Sequence, residues 1–275
     1  MKAYSPKEYW AGLADKFQSA DPAGFAPILH AGAPAWFNVC IDRLQVSAMR
    51  RALDLAEVSP RARVLDVGCG TGRWLRRYSS LGFEATGVDA TPQMLRGART
   101  RGTTAPLVAG EANRLPFRDG EFDLVSDVTV IQHIPAAFQP QALLEMTRVL
   151  KTSGRLILLE LIRGEDSHIF PRTPQNWLDL GASCGLRAKG WFGQEYLLLD
   201  RFFVRISQGV MRRRETSGTG GVDSVEGMSP RPTGLRRVYW GLRQATVPLS
   251  VWAEPVVGRL CPGGLATHGV FVFQK

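Results

Sequence analysis

The feature that most constrains this chain is a short strand-like run that breaks into glycines at alternate positions, Val64-Leu65-Asp66-Val67-Gly68-Cys69-Gly70-Thr71-Gly72. Glycines at such a bend let the main chain approach a ligand at the carboxyl edge of an open α/β sheet, a place that side chains would otherwise block. The bend leads into a helix whose apolar residues Trp74, Leu75, Tyr78 and Leu81 share one face.

Downstream, short apolar runs alternate with helix-period segments, the pattern of βαβ units that build a parallel sheet. A second strand ends at Gly87-Val88-Asp89, and Thr91-Pro92 starts a helix through Met94, Leu95 and Ala98. Ala105 to Ala109 reads as a third strand and Phe122 to Ser126 as a fourth. The helix Ala142 to Leu150 is expected to stop at Gly154, ahead of a fifth strand, Arg155 to Glu160. Pro174 to Leu180 reads as helical, Leu186 to Phe192 as a sixth strand, and Gly269 to Phe273 as the last.

By itself a G-x-G-x-G bend also fits a nicotinamide or flavin site. The dinucleotide form, however, carries its third glycine one position later than Gly72. Asp66, placed before the first glycine, would repel a pyrophosphate and suits a ligand bearing an ammonium and a sulfonium. The whole stretch resembles motif I of the class I S-adenosylmethionine-dependent methyltransferases of the small-molecule type, and the likeness continues in order as far as Arg155.

That resemblance implies a doubly wound, mostly parallel seven-stranded sheet and S-adenosylmethionine as cofactor, with no metal. It implies that Asp66, Gly68, Cys69, Gly70 and Gly72 surround the donor, and that Asp89-Ala90 takes the ribose hydroxyls, since a carboxylate can accept two hydrogen bonds at once. Met94 would pack on the adenine ring, and Glu111-Ala112, with Glu where Asp is commoner, would meet its amine. Leu115-Pro116-Phe117, Phe122-Asp123-Leu124-Val125 and Arg148 to Arg155 match further family segments. Backbone near Asp127-Val128 would accept from the methionine ammonium. The Asn/Asp-Pro-Pro-Tyr/Phe run of the family's adenine and glutamine methylases is missing after strand four, which disfavours those acceptors.

His133, a few residues past Asp127, is the candidate general base, because an ordinary histidine pKa of about 6.5 lets it take a hydroxyl proton near neutrality. A histidine here can equally serve as a helix cap or as part of the cofactor shell. Trp36, Phe37 and Asn38 are candidate acceptor-binding residues on a lid, or else anchors of the N-terminal extension. Glu160, at the end of strand five, is an orienting acid for the same cleft or a supporting group.

The expected division is a helical extension over 1–60, a cofactor-binding core over 61–201, a helical insertion over 202–267 and a final core strand over 268–275. Within the insertion, 212–237 reads as a mobile loop rich in Arg, Gly, Ser, Thr and Pro. Val238 to Leu260 reads as one or two amphipathic helices, too interrupted by charge and proline to span a bilayer but able to lie on one.

Thirty-four Lys and Arg against 25 Asp and Glu, a formal +9, favour anionic partners. Four cysteines and four histidines lie scattered, without the close spacing of a zinc site. The first residues lack the apolar stretch of a signal peptide, making the cytoplasm the default. The functional expectation is methyl transfer to a hydroxyl oxygen of a small sugar, glycolipid or secondary-metabolite precursor, with acidic and lipid-linked acceptors among the candidates. RNA methylation, prompted by the charge, and NAD-dependent oxidoreduction are the alternatives.

Overall fold

The computed structural model describes residues 4–17, 25, 28–31, 33–164, 168–198 and 233–275. Its elements in chain order are α1 (Pro6–Phe17), α2 (Ala35–Ala56), β1 (Arg63–Val67), α3 (Arg73–Ser80), β2 (Glu84–Asp89), α4 (Pro92–Thr100), β3 (Leu107–Ala109), β4 (Phe122–Val128), α5 (Gln139–Val149), β5 (Leu150–Leu161), α6 (Pro174–Ser183), β6 (Arg187–Gln194), α7 (Thr233–Leu260) and β7 (His268–Gln274). One sheet runs in the order β3-β2-β1-β4-β5-β7-β6. The strands from β3 to β5 in that order pair in parallel, and β7 runs antiparallel to both β5 and β6.

The central strands are apolar at successive positions because both faces of the sheet are covered. Leu65, Val67, Leu156, Leu158, Phe271 and Phe273 pack on one side with Leu143 and Met146 of α5 and Trp177 and Leu180 of α6. Val64, Ile157, Leu159, Val270 and Val272 pack on the other with Trp74, Leu75 and Tyr78 of α3 and with α2. There α2 offers Ala48, Ala52 and Ala56 at four-residue intervals, buried against the sheet. Small side chains on one stripe let the helix lie close, so the extension is joined to the core through this face.

Several boundaries differ from the expected ones. Gly154 does not stop a helix: α5 ends at Val149, and Leu150 begins β5 directly. The register between β4 and β5 shifts between Phe122 and Leu124, and Gly154 lies in the extra length, where a Cβ would meet Leu150 Cδ2 at 2.8 Å. The third strand starts at Leu107 rather than Ala105. The single helix α7 starts at Thr233, inside the stretch read as a loop, and continues through Pro248 and Pro255. The remainder of that loop, 212–232, lies outside the described residues.

Candidate active site

At the carboxyl edge, β1, β2 and β4 end around a cleft of about 510 Å³, a size typical of small-molecule sites. Gly68 and Gly70 line it with φ of 66° and 52°, conformations that side chains rarely adopt. A Cβ on Gly68 would collide with the Val130 methyls, and one on Gly70 would meet Ile28 Cγ2 at 3.0 Å. Gly72, with φ 74°, serves a different purpose: a Cβ there would strike Thr103 and Ala98, so the missing side chain admits α4 rather than a ligand. Cys69 also turns away. Its thiol sits in the core beside Gly87, and burial pushes its pKa up.

Two carboxyl groups stand at the bend. Asp89 lines the cleft, where Oδ2 accepts the Gly70 N–H at 2.9 Å and Oδ1 the Thr91 N–H at 2.8 Å. Each oxygen keeps a lone pair for a further donor. Asp66 is 2 % exposed; Oδ1 accepts the Ser126 hydroxyl at 3.1 Å, and Oδ2 has no hydrogen-bond partner among the described residues. Burial, opposed in part by Ser126 and Arg73, pushes its pKa up to about 7. An unmatched carboxylate oxygen is costly unless a donor or a cation completes it.

Ala90, Met94, Glu111, Ala112 and Val128 all line the cleft. Asp127 does not. It is fully buried, and burial raises both it and the neighbouring Glu160 above the carboxylate range, with the charge of Glu160 adding to the rise for Asp127.

Glu160 likewise stays off the cleft, contrary to expectation. Its Oε1 accepts the amides of Val130 and Ile131 at 2.9 and 3.0 Å, and its Oε2 the amide of Gln132 at 2.9 Å. The side chain therefore caps the short helix Ile131–His133 from beneath.

His133 lines the cleft, 8 % exposed. Its Nδ1 lies 3.2 Å from the His168 carbonyl oxygen, which fixes the proton on Nδ1. Its Nε2 then accepts from the Gln132 amide at 3.2 Å, and Gln132 is oriented for this because its Oε1 takes the Leu161 N–H at 2.8 Å. The ring stacks on His168 at 5.3 Å and meets the edge of Trp10 at 4.9 Å.

Trp36, Phe37 and Asn38 do not reach the cleft, which corrects their reading as acceptor-binding residues. Phe37 packs on Trp240 at 5.5 Å with the Arg243 guanidinium 4.4 Å over its ring, and Trp36 meets the same Trp240 at 6.1 Å. Asn38 is buried and clamps a loop, accepting the His30 N–H at 3.1 Å and donating to the His30 carbonyl at 3.2 Å.

The cover over the cleft comes instead from further upstream: Tyr4, Lys7 and Trp10 line it, with Tyr4 donating to the His133 carbonyl at 3.2 Å. Ile28, Asn113, Pro135 and Phe138 are among the other lining residues, and none of them was singled out from the sequence. In the sequence Trp10, Leu13 and Phe17 fall on one helix face at spacings of three and four, which marks burial but not the surface buried against.

Residues 65–158 match the family model described as "Methyltransferase domain". A demethylmenaquinone methyltransferase of Renibacterium salmoninarum is 32 % identical over 128 residues, 45 % of this chain and 53 % of that protein. A malonyl-[acyl-carrier protein] O-methyltransferase of Erwinia pyrifoliae is 31 % identical over 143 residues, 52 % of each chain. The chain thus spans about half the length of the curated relatives it matches. Among solved structures, the Burkholderia thailandensis 1,6-didemethyltoxoflavin-N1-methyltransferase, solved with its substrate and S-adenosylhomocysteine, shares the fold at a TM-score of 0.51 and 18 % identity, over 100 % of this chain and 92 % of that one. The matching segment, 65–158, carries the glycine bend and Asp89 on a seven-stranded sheet, and over that segment the chain is similar to S-adenosylmethionine-dependent methyltransferases.

Proposed function

We propose that this protein transfers the methyl group of S-adenosylmethionine to a small, largely apolar ring compound, at a hydroxyl oxygen. The observation that carries the donor half is the pair of acids at the glycine bend, with Asp89 presenting two oxygens to the cleft and Asp66 holding one buried oxygen without a donor. Asp89 would take the ribose hydroxyls, Asp66 would balance the ammonium, and Met94, Ile28 and Ala112 would form the slot for the adenine. The bound donor supplies an electrophilic methyl on a sulfonium, so the protein's work is to orient the acceptor and accept its proton, and positioning alone can lower a barrier by about 7–11 kcal/mol.

The acceptor half rests on the rest of the lining. Tyr4, Trp10, Pro135 and Phe138 make an aromatic and apolar wall, which suits a planar secondary-metabolite precursor better than a bare sugar, and Lys7 suits an acidic substituent. His133 serves as the base in this reading. To do so, Nε2 exchanges the Gln132 amide for the acceptor hydroxyl, while the Nδ1–H bond to the His168 carbonyl steadies the ring. A second reading, methylation of a ring carbon next to a hydroxyl, is favoured by the likeness to a demethylmenaquinone methyltransferase. It begins with the same proton transfer, after which the methylated carbon loses its own hydrogen as a proton and the oxygen is reprotonated, and the position of an isotope-labelled methyl in the product distinguishes the two.

The test is a thermal shift with S-adenosylmethionine, S-adenosylhomocysteine and NADH, followed by labelled methyl transfer to a panel of phenols, quinols and glycosides. Stabilisation by the first two and not by NADH is the expected outcome; stabilisation by NADH alone would remove the donor assignment.

The state of Asp66 adds a pH dependence. With its pKa near 7 in the free protein, the carboxyl is protonated in acid and must ionise to face a cation. Ligand binding lowers that pKa, so affinity should fall by up to about tenfold per unit as pH drops below 7 and level off above it. Calorimetric titration between pH 5.5 and 8.5 measures this. Asp66→Asn should bind more weakly at pH 8 and give a flat profile; an equally sloped profile in the variant would assign the proton elsewhere.

A further inference from the structure

Helix α7 turns Thr246, Val247 and Ser250 into the protein, while Glu254 accepts the amides of Glu195 and Tyr196 just past the end of β6. These contacts hold the helix at the carboxyl edge of the sheet, the edge on which the cleft opens. Its other side is exposed and apolar. Leu242, Leu249, Trp252, Val256 and Leu260 follow one another at spacings of seven, three, four and four residues, which is one helical stripe. Trp252 is 83 % exposed and Leu260 78 % exposed. Isolated apolar residues on a surface need no explanation, but a stripe of five large ones on one helix does. No described helix is long and apolar enough to cross a membrane, and α7 has the composition of one that lies in an interface, with a tryptophan among aliphatic side chains.

Charge identifies the occupant. The chain carries a formal charge of +9, and Arg259 lies on the helix beside the stripe. A second copy of the chain would bring like charge against like charge across such a contact, whereas an anionic headgroup layer is complementary to it. We propose that the outer face of α7 docks on an anionic lipid surface, the stripe entering the headgroup region and Arg259 meeting phosphate.

Vesicle sedimentation of the full chain tests the docking, using phosphatidylcholine alone against phosphatidylcholine mixed with phosphatidylglycerol. Binding to the mixed vesicles should be at least tenfold tighter, weaken in 0.5 M salt and fall at least tenfold in Trp252→Glu/Val256→Glu. The unfolding midpoint of that variant should stay at the parent value because both positions face outward; if it does not, the milder Trp252→Ala, with a several-fold loss expected, replaces it. Equal binding to both vesicle types, or undiminished binding of a folded variant, would overturn the proposal. So would sedimentation velocity showing a dimer that the substitutions dissociate, which would give the stripe to a second copy.

Discussion

Alanine in place of Asp89 should weaken S-adenosylmethionine binding by a hundredfold or more while shifting the unfolding midpoint of the free protein by only a few degrees. In the family reading, both ribose hydroxyls donate to this carboxylate. Hydrogen bonds to a charged group contribute about 1.5–3 kcal/mol each, so losing two costs about 3–6 kcal/mol of binding. The same substitution leaves the amides of Gly70 and Thr91 without their acceptor, but these lie at an open cleft where water can replace it. Asp89→Asn keeps one acceptor oxygen and should fall between parent and alanine. Calorimetry on the three proteins, with unfolding curves recorded without ligand, separates binding from folding. An alanine variant that binds within threefold of the parent would mean that the donor's sugar is held by other groups.

The second large effect is expected where the sequence pointed to the cleft and the fold points to the interior. Glu160→Ala should lower stability by about 3–5 kcal/mol, because each buried donor left without an acceptor costs about 1–3 kcal/mol. Three backbone donors, those of Val130, Ile131 and Gln132, lose this acceptor, and Val130 keeps a second one, Asp127 Oδ1 at 3.1 Å. For a chain of this size the midpoint should drop by about 10 °C. Urea unfolding of the unliganded protein measures it. Were Glu160 an orienting acid on the acceptor surface, turnover would fall and stability would hold. Because the capped turn carries His133, the loss should also loosen the wall that faces the acceptor.

The contrast between these two acids explains what could be read from the chain and what could not. Asp89 sits at the tip of a strand beside a glycine bend, and local spacing is enough to find it. Glu160 also sits at a strand end, but the two-residue alternation puts it on the side of Leu156 and Leu158, which pack against α5 and α6. Parity along β5 therefore pointed inward, and the position at the strand end masked that signal. The parallel strands were legible because burial on both faces forces continuous apolar runs. Trp36 and Phe37 were illegible for the opposite reason. Their partners, Trp240 and Arg243, lie about 200 residues away, and nothing local distinguishes an aromatic pair that meets a distant helix from one that covers a ligand. Proline had a similar effect in α7. Pro248 and Pro255 divide the sequence pattern, yet packing on α2 and β6 keeps one helix going through both.

The placement of β7 between β5 and β6 has a consequence for how the molecule is made. Until His268–Gln274 emerge, β5 has a bare edge on its far side, and β6 has no neighbour in the sheet at all. Both must wait while more than seventy residues are synthesised after Gln194. A nascent chain halted in that interval would carry open hydrogen-bonding rims flanked by Leu, Ile, Trp and Phe side chains, the kind of surface on which unfinished proteins stick to one another.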